Sequence, residues 1–396
     1  MCKSALAIFE KYCHHWKLKV NLQKTKVIIF CKRKYKNQPI FKLCGENLQI
    51  EDSYSYLGVI FNYNGSFVKA RAKLMDQARK ALYCLYRKLR NISIPIDLQF
   101  KLFDTLMLPI LTYGSEIWGY ENTKQLEKLH LQFCRNILGV RTTTPNFMTY
   151  RELGRTPIDI LCIKLRIVNF WNRLISNKKK LSCILYKIMF NLSIIDNVQF
   201  KWLNFIKSIF EKTGLNYLWN QQQPVHSVQL KFIVKQNLTD QYIQNWFNQI
   251  ENSSRGEFYG IFKNEFNLDK YLLKLLPHER NMITKLRCNN IKLPIETGRW
   301  PNTPREERIC HLCNVGLGTE FHFLFECTSA DVQRLRCKFI PIYYTRYANM
   351  YKMKGLLSLC NVKVLKKLSY LYLNCKMFCN YILRLYYFRL VISVIM

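Results

Sequence analysis

Residues 310–327 read CHLCNVGLGTEFHFLFEC and carry two pairs of metal-type ligands. Two residues separate Cys310 from Cys313, and four separate His322 from Cys327. A Cys-x2-Cys turn brings two thiolates together, and a second pair completes the tetrahedron of nitrogen and sulfur ligands that Zn²⁺ prefers. The spacing therefore predicts a small knuckle in which these four side chains hold a structural zinc ion.

Two features leave alternatives to this assignment. The sequence holds 16 cysteines, so close pairs also arise by chance and are then buried as small apolar side chains. His311 and Cys337 are further ligand candidates, although neither fits the two-pair spacing as well.

The composition is that of a folded, strongly basic protein. With 396 residues, 49% of them hydrophobic, the chain can bury a sizeable core and is expected to form two or three units. Its 61 Lys and Arg against 26 Asp and Glu give a formal charge of +35. Because such self-repulsion opposes compaction, a polyanion is the expected partner: RNA or single-stranded DNA first, an anionic membrane surface second.

No targeting or membrane-spanning segment is predicted. The first apolar stretch, Ala5–Phe9, is too short for a signal peptide. The aromatic and aliphatic tail over 368–396 is interrupted by Lys376, Arg384 and Arg389, which argues against a membrane span. An intracellular protein, nuclear or cytoplasmic, with reduced or metal-bound cysteines is therefore predicted.

The first 65 residues predict one helix packed on a small antiparallel sheet. Apolar residues recur at helical spacing up to Trp16, and Val27–Phe30 is a compact β-type run. A hairpin turn is predicted at 44–47, and apolar residues over 54–61 indicate one further strand.

From residue 66 onward the periodicity is helical. Helices are predicted over 67–89, from 97 to Pro109, which should kink or end the helix, from 123 to a cap at Gly139, and over about 158–175. Residues 181–275 are interpreted as a helical region, and 277–300 as a helix and loop leading to the knuckle. His130 lies on an apolar helix face and is interpreted as a core residue rather than a metal ligand.

Several motifs follow one another in a fixed order. The first three are Asn21-x2-Lys24-Thr25-x4-Phe30, Tyr56-Leu57-Gly58-Val59 and Pro109-Ile110-Leu111-x-Tyr113-Gly114-x-Glu116-x-Trp118-Gly119. Further along stand Thr144-Pro145-Asn146, Glu152-Leu153-Gly154-Arg155 and Glu296-Thr297-Gly298-Arg299-Trp300. Taken in order, they resemble the distal palm and thumb of reverse transcriptases from LINE-type (non-LTR) retrotransposons, over nearly the whole chain.

The resemblance implies that this chain does not polymerise DNA by itself. In that family an aromatic-Ala-Asp-Asp turn precedes the helix with which this chain begins, and the sequence contains no Asp-Asp pair. Nucleotidyl transfer needs carboxylates that hold two Mg²⁺ ions, so Mg²⁺ is expected only in an intact parent polymerase and no catalytic residue is assigned. A polypeptide carrying the missing N-terminal polymerase half is a further expected partner.

The resemblance also implies a set of nucleic-acid-binding residues. Lys24 would lie near the incoming triphosphate, and Leu57-Gly58 would form the turn that grips the primer strand. The knuckle resembles the one at the C-terminus of LINE polymerases, where cations would neutralise phosphates and Trp300 would offer a stacking face. The residues assigned to nucleic acid are Lys24, Lys26, Leu57, Gly58, Arg299, Trp300, Arg305 and Arg308. The alternative is a solvated basic surface with an ordinary turn glycine at the end of a strand.

The predicted fold class is α+β and mostly α. Its parts are a distal palm remnant (1–65), a helical thumb (66–180), a helical linker (181–300), a CCHC zinc knuckle (301–340) and a helical tail (341–396). The predicted function is that of a nucleic-acid-binding reverse transcriptase fragment that is inactive alone. The alternatives are a non-enzymatic zinc-knuckle adaptor derived from a mobile element and a decayed copy without a stable product.

Overall fold

A computed structural model describes residues 2–31, 39–90, 92–358 and 361–374. Within these residues helices dominate and strands are short, which confirms the predicted α+β, mostly α class. The chain divides into two compact units. The first comprises Met1–Ser93, Lys101–Leu126 and Arg166–Ser208, and the second comprises Ile94–Phe100, Glu127–Leu165 and Ile209–Met396. The five-part division made from the sequence stays a prediction, and 375–396 of its tail lie outside the described residues.

The first unit begins with a helix and three short strand pairs. Helix α1 spans Cys2–His15, and the strands are β1 (Lys26–Val27), β2 (Lys42–Leu43), β3 (Glu46–Asn47), β4 (Gln49–Ile50), β5 (Ser53–Tyr56) and β6 (Val59–Asn62). β2 pairs with β3 and β5 with β6 in antiparallel fashion, whereas β1 and β4 are parallel, a pairing that the sequence did not predict. Leu6 of α1 packs on a core of Phe41, Leu43 and Leu48, in the helix-on-sheet arrangement expected from the pattern.

The single strand predicted over 54–61 is wrong, because these residues form the β5–β6 hairpin. Leu57 and Gly58 both have positive φ, +47° and +82°, so the chain reverses between the two strands. Two successive residues of this kind make the tight turn whose twist suits paired strands. The hydroxyl of Tyr113 donates a hydrogen bond to the Leu57 carbonyl at 2.7 Å, which fixes the turn against the rest of the unit.

Helix α2 (Val68–Leu89) shows how the predicted helical periodicity is used. Ala70, Leu74, Ala78 and Leu82 recur every four residues and are all buried, so one face of the helix packs into the core. The helices that follow are α3 (Ile96–Leu102), α4 (Leu108–Leu111), α5 (Ser115–Trp118), α6 (Lys124–Leu138), α7 (Asn146–Glu152), α8 (Lys164–Ser176), α9 (Leu181–Ile195), α10 (Lys201–Lys212) and α11 (Asn216–Gln221).

The cap predicted at Gly139 is confirmed, whereas the helix does not end at Pro109 but continues through it to Leu111. Pro109 has no N–H to donate, and the helix widens into a π turn at Phe103–Met107 before ending with α4. Gly139 follows α6 with φ of +64°, the left-handed conformation that ends helices. A second π turn, Asp159–Ile163, leads into α8.

The remaining helices belong to the second unit. They are α12 (Ser227–Glu251), α13 (Gly256–Gly260), α14 (Lys270–Lys274), α15 (Pro277–Arg287), α16 (Pro294–Thr297), a 3-10 turn (Arg305–Glu307), a π turn (His322–Glu326), α17 (Ala330–Phe339), α18 (Ile342–Thr345), α19 (Met350–Leu357) and a helical stretch over 362–374. Among the described residues, no helix has the length and apolar character that crossing a membrane requires.

A cluster of charged side chains lies in the interior of the second unit; we call it the Glu152–Arg287 cluster, and it also includes Lys263, Asp269 and Tyr271. Arg287, 2% exposed, donates to Glu152 Oε1 at 3.1 and 3.2 Å and to Asp269 Oδ2 at 2.8 Å. Lys263 Nζ lies 2.7 Å from the same Asp269 oxygen, and the Tyr271 hydroxyl donates to Glu152 Oε2 at 2.7 Å. Burial opposes ionisation of Glu152, but the charges of Arg287 and Lys263 outweigh it and lower its pKa. The cluster is therefore charge-balanced by the chain itself.

The motif Glu152-Leu153-Gly154-Arg155 is thereby explained as structural. Leu153 pairs with Leu268, and a Cβ on Gly154, whose φ is +59°, would come within 2.6 Å of the Leu268 nitrogen. Only glycine fits so close an approach between backbones.

His130 is a core histidine, as interpreted from the sequence. It is 1% exposed, its Nδ1 lies 3.1 Å from Glu127 Oε1, and its Nε2 accepts a hydrogen bond from Arg155 Nε at 3.1 Å. Both ring nitrogens are engaged within the protein.

Candidate metal centre

The four predicted metal ligands converge in the second unit, where Cys310, Cys313, His322 and Cys327 place their ligand atoms within 4.8 Å of one another. Cys310 Sγ lies 3.9 Å from Cys327 Sγ, and Cys313 Sγ lies 3.2 Å from His322 Nε2. Zinc–ligand bonds of about 2.3 Å to sulfur and 2.0–2.1 Å to nitrogen give a tetrahedron with edges of about 3.8 Å between sulfurs and about 3.5 Å from sulfur to nitrogen. The cluster therefore has the size and donor set for a metal ion such as zinc. We call these four residues the metal-ligand cluster; it contains neither His311 nor Cys337.

The first ligand pair lies on a tight hairpin. Ile309 and Leu317 form an antiparallel bridge, and the Cys310 amide donates to the Gly316 carbonyl at 3.0 Å. The chain turns through Asn314 and Gly316, which have φ of +53° and +71°. Asparagine and glycine are the residues that tolerate this conformation, so the residues that follow Cys313 specify the turn.

The second ligand pair lies on the π turn His322–Glu326. The Thr319 hydroxyl accepts a hydrogen bond from the His322 amide at 3.1 Å and so caps the start of the turn. The Cys327 amide donates to the His322 carbonyl at 2.7 Å, which holds both ligands on the same side of the turn.

Neighbouring side chains orient the ligands. His322 directs Nε2 toward Cys313, while its Nδ1 lies 3.6 Å from Glu326 Oε2. A carboxylate near the far nitrogen favours the tautomer whose Nε2 can bind metal, although 3.6 Å is too long for a direct hydrogen bond. Arg336 Nη2 donates to the Cys327 carbonyl at 2.9 Å and supports the last ligand from helix α17. Sequence reasoning missed Glu326, although its position four residues after His322 places it on the same helical face.

The thiols respond differently to their surroundings. Burial opposes ionisation of Cys313, but hydrogen bonds from the Val315 amide and from His322 lower its pKa to about 6. Burial raises the pKa of Cys327, which is 0% exposed, to about 12, and the neighbouring Cys310 adds to the rise. A bound dication would lower the pKa of Cys327, because it stabilises the thiolate directly.

Two of the four predicted nucleic-acid-binding residues near the knuckle are used inside the protein. Arg308 donates from three nitrogens to the carbonyls of Thr303 and Ile295, at 2.7–3.0 Å. Arg299 lies 3.1 Å from Glu296 Oε1 and donates to the Ser254 hydroxyl at 2.8 Å. These arginines hold the segment in place.

The other two point outward. Trp300 is 62% exposed, and the Arg141 guanidinium lies 5.7 Å from the centre of its ring. The side chain of Arg305 is 51% exposed and only 3.8 Å from the exposed Glu257 carboxylate. Arg141 was not singled out from the sequence, since no local pattern connects it with Trp300, which lies far along the chain.

The remaining predicted residues lie in the first unit. Lys24 is exposed, and Lys26 donates to the Gln49 side chain between the paired strands β1 and β4. Leu57 is 74% exposed at the tip of the β5–β6 turn, next to Gly58. A Cβ on Gly58 would lie 3.1 Å from the Tyr113 ring, so the turn packs tightly on that side chain.

Comparison with known proteins gives one informative relative. Over 160 residues the chain is 26% identical to a protein of Caenorhabditis elegans named as uncharacterized and transposon-derived. The match covers 38% of this chain and 53% of the relative, so the chain spans about half the length of that protein. This similarity is consistent with an origin in a mobile element. No protein-family model matches the chain, and no solved structure matches it.

Proposed function

We propose that this chain is the nucleic-acid-binding C-terminal part of a LINE-type reverse transcriptase, in which a zinc knuckle organises a surface for RNA or single-stranded DNA. The observation that carries the proposal is the metal-ligand cluster, set in a chain of charge +35. The ordered sequence motifs and the transposon-derived relative support the same origin.

The hairpin of the knuckle is joined to the segment that carries Trp300. The Ile295 amide donates to the Gly318 carbonyl at 3.2 Å, and the Gly318 amide donates to the Arg308 carbonyl at 2.9 Å. A Cβ on Gly318 would come within 2.6 Å of the Pro294 ring. Zinc bound by the four ligands would therefore also order helix α16 and the residues that follow it.

The outward-facing side chains suit unpaired nucleic acid. An exposed tryptophan stacks on any base, and stacking of this kind is worth about 1–3 kcal/mol per base. Arg305 and Arg141 would neutralise phosphates of the bound strand, and the remaining positive charge of the chain would add long-range attraction.

A salt titration tests the binding. Fluorescence anisotropy of a labelled oligouridine of about 12 nucleotides, within the site sizes usual for single strands, is measured with the zinc-loaded chain. The KCl concentration is varied over about 50–200 mM. For about 6–10 phosphate contacts, each contributing about −0.7 to the slope for single strands, affinity is expected to fall by about two to four orders of magnitude. Affinity that does not change with salt would contradict the proposal.

A pair of aromatic substitutions locates the surface. Trp300→Ala is expected to weaken oligouridine binding by about fivefold to a hundredfold, because one stacking face is lost. The matched control is Tyr343→Ala: Tyr343 is also 62% exposed and carries a cation, Lys352, 5.1 Å from its ring, but lies outside the proposed surface. Equal effects of the two substitutions would contradict the assigned location.

Strand synthesis is proposed to need residues that this sequence does not contain. Two Mg²⁺ ions must be held by carboxylates near the reacting phosphate, and the sequence has no Asp-Asp pair. A primer-extension assay with this chain alone, at saturating Mg²⁺, is expected to give no product. Template-dependent extension would overturn this part of the proposal.

A second candidate function, a protein-binding adaptor, is favoured by the surface of α9. Leu181, Ile184, Leu185 and Ile188 on this helix are each 47–69% exposed, and exposed apolar patches often mark protein interfaces. Substituting Ile184 and Leu185 by glutamate tests this candidate, and substituting Cys313 and Cys327 by serine tests the first. Loss of oligouridine binding in the serine variant supports the first function, whereas loss of a protein partner in the glutamate variant, with oligouridine binding unchanged, supports the second.

A further inference from the structure

A cavity of about 150 Å³ lies in the second unit, and part of its wall is formed by the residues that immediately precede His322 in the chain. Its walls come from 254–261, 289–305 and 319–321, with Met350 at one side. Phe258 and Phe321 contribute half-buried aromatic rings. A cavity of roughly this volume accommodates one benzene-sized ring. The six-membered ring of a base therefore fits, with the rest of the nucleotide toward solvent.

Three residues that line this cavity carry a buried acceptor oxygen without a hydrogen-bond partner: Glu320 (Oε1), Asn289 (Oδ1) and Glu296 (Oε2). Glu296 Oε2 forms an ion pair with Arg255 at 3.0 Å, which leaves the oxygens of Glu320 and Asn289, residues that are 4% and 6% exposed. Buried polar atoms are nearly always satisfied in folded proteins, and those that are not call for an explanation. Two acceptors lining one cavity point to a ligand that brings neighbouring N–H donors.

The other carboxylates lining the cavity are already paired. Glu296 lies 3.0 Å from Arg255 and 3.1 Å from Arg299, and Glu257 lies 3.8 Å from Arg305. Within the part of the chain that the structure describes, Glu320 forms no ion pair. It is thus the carboxyl group that remains to recognise a ligand.

The hydrogen-bonding patterns of the nucleobases narrow the choice of ligand. Guanine presents two adjacent donors, N1–H and the 2-amino group, on the Watson–Crick edge of its six-membered ring. Adenine and cytosine place an acceptor beside their amino group, and uracil flanks its single N–H with two carbonyls. Unpaired bases are read by proteins along this edge, with aromatic side chains against the ring. An arginine side chain of a peptide also offers paired donors, but Arg299, Arg305 and the charge of +35 disfavour a cationic ligand.

We propose that this cavity binds an unpaired guanine of a single-stranded nucleic acid, with Glu320 and Asn289 accepting hydrogen bonds from N1–H and the 2-amino group. Phe258 and Phe321 contact the base, and Arg305, half exposed at the rim, faces its phosphate. The inference rests on the proposed function and adds base selectivity to it.

Nucleotide titrations test the cavity without requiring a long RNA. Isothermal titration calorimetry compares guanosine, inosine and adenosine 5′-monophosphates on the zinc-loaded full chain. Inosine keeps N1–H but lacks the 2-amino group, and adenosine has neither donor arrangement. Guanosine monophosphate is expected to bind about fivefold more tightly than inosine monophosphate, which loses one hydrogen bond, and adenosine monophosphate is expected to bind most weakly, because it loses both. Equal affinities overturn the proposal.

Two matched substitutions assign the selectivity to one side chain. Glu320→Gln is expected to reduce the preference for guanosine over adenosine monophosphate to about twofold or less. Glu257→Gln, the same change at the exposed carboxylate of the cavity rim, is expected to keep it. Bound zinc and the far-ultraviolet circular dichroism spectrum check that both variants fold. Retained preference in a folded Glu320→Gln protein overturns the assignment.

Two further probes separate this inference from the proposed function. Oligouridine with and without one central guanosine is compared: salt-dependent binding without any gain from guanosine, together with equal nucleotide affinities, overturns the cavity proposal and leaves the proposed function standing. Preference for guanosine monophosphate without oligouridine binding supports the guanine site and contradicts the proposed function. Tighter binding of N-acetylarginine amide than of guanosine monophosphate identifies a peptide site and overturns the proposal.

Discussion

The second unit contains two buried clusters of ionisable side chains, and the charges of the two clusters are compensated in different ways. In the Glu152–Arg287 cluster, acidic and basic side chains neutralise one another at 2.7–3.2 Å. The metal-ligand cluster collects three thiols and an imidazole, all of which are potential ligands for a cation. In the first cluster the charges are neutralised by protein side chains alone. The second cluster would be stabilised most by a bound metal ion.

The difference shows how burial can be tied to function. Self-neutralised charges in an interior cost desolvation and return little net stability, but removing one partner is severe because a bare charge is left behind. Thiols can be buried as neutral groups without that penalty, as Cys327 is, and such a thiol releases its proton when a metal binds. We therefore expect the two clusters to respond differently to substitution, pH and chelators.

The largest expected effect is loss of zinc from the knuckle. Wild-type protein is expected to bind one zinc ion per chain. Cys327→Ser is expected to lower the affinity for zinc by about a hundredfold or more, because a zinc-binding free energy of roughly 10–16 kcal/mol is shared among four ligands. Metal analysis and chelator competition measure both quantities. Cys337→Ser is the control, because Cys337 is exposed and outside the metal-ligand cluster. Zinc loss in both variants would mean that the ligand set is wrong.

Removing the central cation of the other cluster comes next. Arg287→Met is expected to lower the free energy of unfolding by about 4 kcal/mol, because it strands two buried carboxylates, Glu152 and Asp269. Urea denaturation measures the change. Lys80→Met, which removes the exposed partner of Asp76 on α2, serves as control and is expected to give no resolvable change. A small effect of Arg287→Met would show that the cluster contributes little.

The same variant is expected to reverse the dependence of stability on pH. In the wild type the pKa of Glu152 is lowered in the folded state, so its contribution is present above its unfolded pKa and lost as pH falls through the folded value. Without Arg287, burial dominates and raises that pKa, so the variant is expected to gain stability as pH falls from about 7 to about 5. Urea denaturation of both proteins at several pH values shows whether stability is lost or gained as the pH falls.

Zinc affinity is expected to rise by at least about tenfold per pH unit between about pH 6.5 and about pH 8. At these pH values Cys313, with a pKa of about 6, is mostly thiolate, while Cys327, with a pKa of about 12, is protonated and must release its proton to bind. Below a pH of about 6 the slope is expected to steepen, because Cys313 then also carries a proton. Chelator competition at each pH gives the slope; a flat profile would argue against thiolate ligation.

The smallest expected effect concerns the group behind His322. Glu326→Gln is expected to lower the affinity for zinc by about tenfold, the low end of the effect for a carboxylate behind a ligating histidine. The effect is expected to be small because the Glu326 side chain is 56% exposed and its Oε2 lies 3.6 Å from His322 Nδ1. Chelator competition again gives the affinity. Glu306→Gln, an exposed glutamate outside the π turn, is the control and is expected to leave zinc affinity unchanged.

Sequence reasoning predicted those parts of the fold that depend on local patterns. The helical spacing of Leu74, Ala78 and Leu82 predicted α2, and Gly139 predicted the end of α6. It failed over 54–61, because an apolar alternation continues across the turn and only the positive φ of Leu57 reveals the hairpin. The two-residue spacing of one ligand pair and the four-residue spacing of the other predicted a cluster that the fold brings together.

What the sequence by itself determined is the set of candidate metal ligands, the helical class and the excess of positive charge, because each depends on spacing or composition. Only the tertiary structure decided which cations are available to a partner. It engages Arg308 and Arg299 with the chain's own carbonyl, hydroxyl and carboxylate oxygens and leaves Trp300 exposed. It also brings Asn289 and Glu320 to one cavity, although they come from separate segments of the chain. Contacts of this kind depend on how distant segments pack, and no local pattern encodes them.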